Sequence, residues 1–239
     1  MHKGKDIILI AILSTVVPIV IAFSQNVSAL SRLGTPGIKT SDQEDHRHGR
    51  PSPERIYRFN EQVVTVSDFE AEGYILAIGG GGEGIIGQLK GQQVVAIDIS
   101  KRELEGTPPG PLKIVMDARD LKFLNGAFNT AASFFTLCYI DGADHEEVFE
   151  EIFRVLARGG RFLIWDAVFP EREDEKKDVA IIPLLVKLPD KEIATGYGVN
   201  WPDKARDLPY YMKLAENAGF KVGASAKKDQ WFFLDLKKP

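Results

Sequence analysis

The chain has 239 residues, 44% hydrophobic and 27% charged, which are ordinary values for a globular protein. A net charge of −4 and a pI near 5.7 argue against a nucleic-acid-binding surface. Cys138 is the single cysteine, so an intrachain disulfide and a thiolate-based metal site are both excluded.

The N-terminus carries Lys3 and Lys5, then an uncharged apolar run from Ile7 to Phe23, then Val27-Ser28-Ala29, a small-x-small cleavage pattern. This three-part layout is that of a membrane-directed segment over residues 1–29, read either as a cleaved signal peptide or as a retained membrane anchor. It predicts a membrane-anchored or exported protein. The charge bias on the two sides of the run is too weak to set which side the domain faces. Residues 30–54 are rich in Gly, Pro, Ser and charge and read as a flexible linker, with His46 and His48 as solvated linker side chains.

From Tyr74 the pattern becomes regular. YILAI (74–78), QVVAID (93–98), LKIVMD (112–117), AASFF (131–135) and RFLIWDAVF (161–169) are short apolar runs of the kind that form buried parallel strands. HEEVFEEIFRVLARGG predicts a helix with Val148, Phe149, Ile152, Phe153, Val155 and Leu156 on one face. Asp144 and Glu147 are spaced as a capping box, and Gly159-Gly160 is the expected stop. Residues 177–201 alternate like a hairpin, 208–219 read as a helix, and the last stretch reads as two strands around a Lys-Lys-Asp turn. The fold class expected is α/β: a doubly wound, Rossmann-like sheet, mostly parallel, closed by a C-terminal antiparallel hairpin.

The stretch ILAIGGGGEGIIG (75–87) poses the functional question. Gly79-x-Gly81-x-x-Gly84 follows a strand and opens a short helix, which is the spacing of a nucleotide-binding turn. Such a turn admits a ligand close to the backbone and leaves N–H groups free at the helix start. No Gly-Lys-Ser/Thr follows, so a P-loop is excluded. Asp98 ends the second strand, where an acid accepts hydrogen bonds from ribose hydroxyls. The glycines alone permit a nicotinamide or a sulfonium cofactor.

Asp117-Ala118 closes the third strand, and Ala157-Arg158-Gly159-Gly160 precedes the fifth. This succession, with the terminal hairpin, resembles the class I S-adenosylmethionine-dependent methyltransferases. The resemblance implies a methyltransferase-like domain over 55–239 with an insertion at about 170–207. It implies S-adenosylmethionine as cofactor and methyl transfer to an unidentified small-molecule acceptor. The alternatives are an NAD(P)-dependent oxidoreductase or a non-catalytic binding protein on the same scaffold.

By the same resemblance Gly79, Gly80 and Gly81 lie against the methionine portion and ribose, Asp98 and Ile99 bracket the ribose and one adenine face, and Asp117 and Ala118 meet the adenine edge. Ser133 and Phe134 come near the ring or the substrate side. The family's acid two residues before the first glycine is Ala77 here, and its Phe-Asp pair opening the fourth strand is Phe128-Asn129. Glu83 stands at the usual third glycine, where it either supplies the missing negative charge or is a solvated acid favoured at the helix start. Tyr139, Asp141 and Asp166 are placed near the cleft mouth, with His145 nearby in the first turn of the helix; Tyr197, Trp201, Tyr210 and Tyr211 lie in the segment that covers the site and read as packing of that segment. Catalytic residues are not assigned, and no metal is implied.

Overall fold

A computed structural model describes residues 51–239. The membrane-directed segment and nearly all of the linker expected from the sequence lie outside the described residues. Among the described residues, no helix is long and apolar enough to cross a membrane.

The first elements are β1 (Ile56–Arg58) and β2 (Gln62–Thr65), followed by β3 (Ile75–Ile78), α1 (Ile85–Lys90), β4 (Val94–Asp98), α2 (Lys101–Gly106), β5 (Leu112–Val115) and β6 (Phe128–Phe134). Then come α3 (His145–Val155), β7 (Leu156–Ala167), β8 (Val179–Lys187), β9 (Glu192–Asn200), α4 (Leu208–Asn217), β10 (Lys221–Lys228) and β11 (Trp231–Lys237). All five expected parallel strands form. The central sheet has seven strands in the order β10-β11-β7-β6-β3-β4-β5. Strands β5, β4, β3, β6 and β7 are mutually parallel, whereas β11 runs antiparallel to both β7 and β10. The doubly wound sheet with a terminal antiparallel hairpin is therefore present.

Strand β3 shows why the middle of this sheet is apolar without alternation. Ile75 and Ala77 enter one core, while Leu76 and Ile78 enter the other. A strand covered on both faces has no use for polar residues. On one side α3 and α4 supply Val148, Phe149, Ile152, Tyr211 and Leu214. On the other side the cover is α1 together with a second sheet. There β8 pairs with β1 and then β2 along one edge, both parallel, and with β9 along the other edge, antiparallel. Ile182, Leu184 and Val186 of β8 pack into the same core as Ala77, Ala96 and Ala132 of the central sheet. The insertion at about 170–207 is thus half of a β-layer completed by residues just after the linker.

Two local expectations are corrected. The helix α3 stops at Val155, and Leu156 passes directly into β7. Gly159 and Gly160 sit within β7, opposite a register shift between Phe128 and Thr130, and so form an irregularity in the strand rather than a helix stop. A Cβ at Gly160 would lie 2.8 Å from the Ala157 carbonyl oxygen, which explains the glycine. The Asp144 side chain makes no capping bond, because Arg119 Nη1 donates to its carboxylate at 2.9 Å.

Candidate functional site

In the central sheet the chain winds outward from β3 to β5 in one direction and from β6 to β7 in the other. The switch lies between β3 and β6, and a crevice opens beyond the carboxyl ends of the strands at such a point. The glycine turn leaves β3 there, and Phe135-Thr136-Leu137 leaves β6 beside it. Thr136 Oγ1 donates to the Ile78 carbonyl at 3.1 Å and joins the two.

The glycines answer first to their own chain. Gly79 has a φ of +64°, and a Cβ on it would stand 2.2 Å from the Thr136 side chain. A Cβ on Gly80 would stand 2.7 Å from that of Ala96. At Gly81 the added atom would fall 2.6 Å from Asp98 Oδ2 and 2.6 Å from Glu103 Cβ. Within the turn that precedes the helix, the N–H groups bond to the chain itself. Gly80 donates to the Ile97 carbonyl at 2.8 Å, Gly82 to Glu103 at 3.2 Å and Gly84 to Gly81 at 3.1 Å. Gly81 donates to Asp98 Oδ2 at 3.1 Å. Closure of the turn onto β4 and α2 thus engages the donors of Gly80, Gly81 and Gly82.

Asp98 is oriented by this arrangement. Its other oxygen accepts from the Ser100 N–H at 2.8 Å, so two backbone donors hold the carboxylate plane at the end of β4. Ile99, next along, is 58% exposed and leaves an apolar side chain beside the carboxylate.

Asp117 ends up elsewhere in chemistry if not in place. Arg119 grips its carboxylate through Nε at 3.1 Å and Nη2 at 2.6 Å, and the Arg119 N–H adds a bond at 2.9 Å. These bonds hold the Asp117 carboxyl below the usual carboxylate range. Ala118 packs at the edge of the helix-side core. Phe134 is buried in the core beneath the second sheet, and Ser133, on the opposite face of β6, is fully buried.

The mouth is built largely by residues far apart in the sequence. Thr195 Oγ1 of β9 donates to Glu83 Oε1, and the Tyr197 hydroxyl donates to Glu83 Oε2 at 3.2 Å. The Tyr197 ring stacks on Phe135 with centroids 5.6 Å apart and meets Tyr139 edge-on at 6.2 Å. Phe135 has a φ of +47°, a left-handed backbone conformation that a bulky non-glycine residue seldom adopts. Sequence reasoning missed Phe135, Thr136 and Thr195 as site residues, and no local pattern marks them.

Of the other candidates, Asp166 is withdrawn from the mouth, whereas His145 sits in the first turn of its helix as expected. Asp166 is fully buried and accepts the N–H groups of Thr136, Leu137 and Ala167 at 3.1, 2.8 and 2.7 Å. Burial outweighs those bonds and raises its pKa to about 6. Its work is to hold the loop after β6. His145 opens α3 and is also fully buried, with its pKa lowered to about 4 by burial. Its Nε2–H donates to the Leu137 carbonyl at 3.0 Å, so Nδ1 accepts from the Tyr210 hydroxyl at 2.8 Å. Asp141 caps the Ala143 N–H at 2.9 Å. Trp201 and Tyr211 are core residues.

The missing acid has a structural counterpart. Ala77 is 2% exposed and pairs with Ala96 on β4 and Ala132 on β6, all three within the core under the second sheet. That row of alanines leaves no place for a carboxylate. The residues present nonetheless fit an adenosine: an oriented carboxylate at the end of β4 and an exposed apolar side chain beside it.

Comparison with known proteins agrees. Residues 76–164 match the family model described as a methyltransferase domain. Among solved structures, an S-adenosylmethionine-dependent methyltransferase from Methanosarcina mazei is 17% identical, with a TM-score of 0.51 over 71% of this chain and 94% of that one. The [4+2]-cyclase SpnF is 14% identical, with a TM-score of 0.51 over 71% of this chain and 76% of that one. A fold shared with a cyclase does not by itself name a reaction. No curated protein matches the chain. Residues 76–164 thus carry a methyltransferase-domain match, and the sheet that holds them has the strand order expected of that fold.

Proposed function

We propose that this chain transfers a methyl group from S-adenosylmethionine to a small-molecule acceptor. The observation that carries the reading is the Gly81 N–H bond to the Asp98 carboxylate at the carboxyl ends of β3 and β4, beside the switch point of the sheet. Asp98 would take the ribose hydroxyls, Ile99 one face of the adenine, and the chain around Asp117-Ala118 its edge.

Bound S-adenosylmethionine supplies an electrophilic methyl group on a sulfonium. What the protein adds is alignment and exclusion of water. The second sheet would close one side of the crevice, with Tyr139 and Tyr197, the latter stacked on the buried Phe135, at its mouth, where an acceptor would meet the methyl group. Burial, then the neighbouring Glu83, keeps the Tyr197 phenol protonated and therefore a donor. Neither His145 nor Asp166 reaches this mouth as a base, because both are spent on the loop that follows β6. An acceptor that is a nucleophile in its neutral form suits such a site best. The acidic net charge speaks against a nucleic-acid acceptor.

Calorimetric titration of the full-length chain in detergent with S-adenosylmethionine, S-adenosylhomocysteine and NAD tests the reading. Micromolar binding of the first two and none of NAD is expected. NAD binding alone would establish the oxidoreductase reading, and no binding of any would leave a non-catalytic protein on this scaffold.

A further inference from the structure

A cofactor with an amino-acid end brings an ammonium group into the crevice, and an ammonium leaving water needs an anion. The carboxylates that reach the crevice are mostly committed. Asp117 is neutralised by Arg119, and Asp166 is enclosed by backbone N–H groups. Asp98 is fixed at the ribose end by Gly81 and Ser100. Position 77 is an alanine in a row of alanines.

Glu83 differs from all of these. It sits on the glycine turn itself and is half-buried. The hydrogen-bond partners of its carboxylate, the Thr195 and Tyr197 hydroxyls, are neutral donors. Among the described residues, no lysine or arginine forms an ion pair with it. A half-buried carboxylate held in one orientation without a cation is a site that favours a cationic ligand. Tyr197 also stacks on Phe135, just after β6, so its hydroxyl sets the carboxylate on the side of the turn that faces the β6 loop. The rings of Tyr139 and Tyr197 would favour a cation there as well.

We infer that Glu83, presented by Thr195 and Tyr197 of β9, binds the ammonium group of the cofactor's amino-acid end in place of an acid on β3. The second sheet is then part of the cofactor site and not only its cover. This rests on the methyltransferase reading above.

The test compares two thioethers that share an adenosine and differ in the amino-acid end: S-adenosylhomocysteine, which has it, and 5′-methylthioadenosine, which lacks it. The full-length chain and its Glu83→Gln variant are titrated with each by calorimetry. Loss of one charge-assisted hydrogen bond is worth about ten- to a hundredfold in affinity. Glu83→Gln should therefore weaken S-adenosylhomocysteine by that factor and leave methylthioadenosine within about twofold. Equal weakening of both ligands, or of neither, would overturn the assignment, because Glu83 would then only shape the turn or do nothing. Failure of the unsubstituted chain to bind either ligand would instead overturn the methyltransferase reading on which the assignment stands.

Discussion

The N–H of Gly81 donates to Asp98 Oδ2 at 3.1 Å, across a gap that a single methyl group at position 81 would close to 2.6 Å. Position 81 thereby controls where the Asp98 carboxylate points. Gly81→Ala should displace Asp98 and weaken S-adenosylhomocysteine binding at least tenfold, with a stability loss of about 1–3 kcal/mol from overpacking. Gly82→Ala is the matched control. Its added Cβ has only Glu103 Oε2 at 4.0 Å, but its φ of +62° costs an alanine about 1–2 kcal/mol. Calorimetry should show near-normal affinity for Gly82→Ala alongside a comparable fall in thermal stability. Equal affinities for the two variants would contradict the role given to Gly81.

Ala77 invites repair, since an acid at this position is what the resemblance implies. The structure predicts that the repair fails. Ala77→Asp would bury a carboxylate between Ala96 and Ala132 with no donor among those side chains. An uncompensated buried charge costs about 3–5 kcal/mol, and denaturant unfolding should show a loss of that order without tighter cofactor binding. Burial raises the pKa of such an acid, so the loss should be smaller at pH 4 than at pH 8. Tighter binding by this variant would show that position 77 faces the ligand after all.

Two buried groups titrate in opposite senses. His145 has a folded pKa of about 4 against an unfolded value of 6.5, so the unfolded chain binds the extra proton between them. Its contribution to stability is present above pH 6.5 and is lost as the pH falls towards 4. Asp166 has a folded pKa of about 6 against 3.8 unfolded, so here the folded chain holds the proton. Its contribution is present below pH 3.8 and is lost as the pH rises through 6. The two slopes offset each other between pH 4 and 6. In the His145→Gln variant, denaturation midpoints should fall as the pH is raised from 4 to 6, whereas the parent should be nearly flat from this pair. A variant with the parent's slope would show that His145 is already charged in the fold.

Much of the architecture is legible in the residues. Each strand run from Tyr74 onward appears within a few positions of its sequence reading, as do the 177–201 hairpin and the last two strands. Period and turn chemistry are local properties, and β3 reports its two-faced burial through four consecutive apolar residues. The same locality explains the errors at α3. Asp144 and Glu147 have capping-box spacing, but Arg119 claims Asp144 from 25 residues away. Gly159-Gly160 resembles a helix stop, but pairing with β6 claims Leu156 for the sheet first.

The sequence by itself determined which strands form and where the glycine turn, Asp98 and Asp117 fall at their ends, because each depends on neighbours along the chain. Only the tertiary structure decided what those groups do once there. It joins Asp117 to Arg119, closes Gly81 onto Asp98, buries His145 and Asp166 away from the mouth, and brings Thr195 and Tyr197 to Glu83 across 112 and 114 residues. A carboxylate's partners are set by which elements pack against it, and no spacing rule along the chain carries that information.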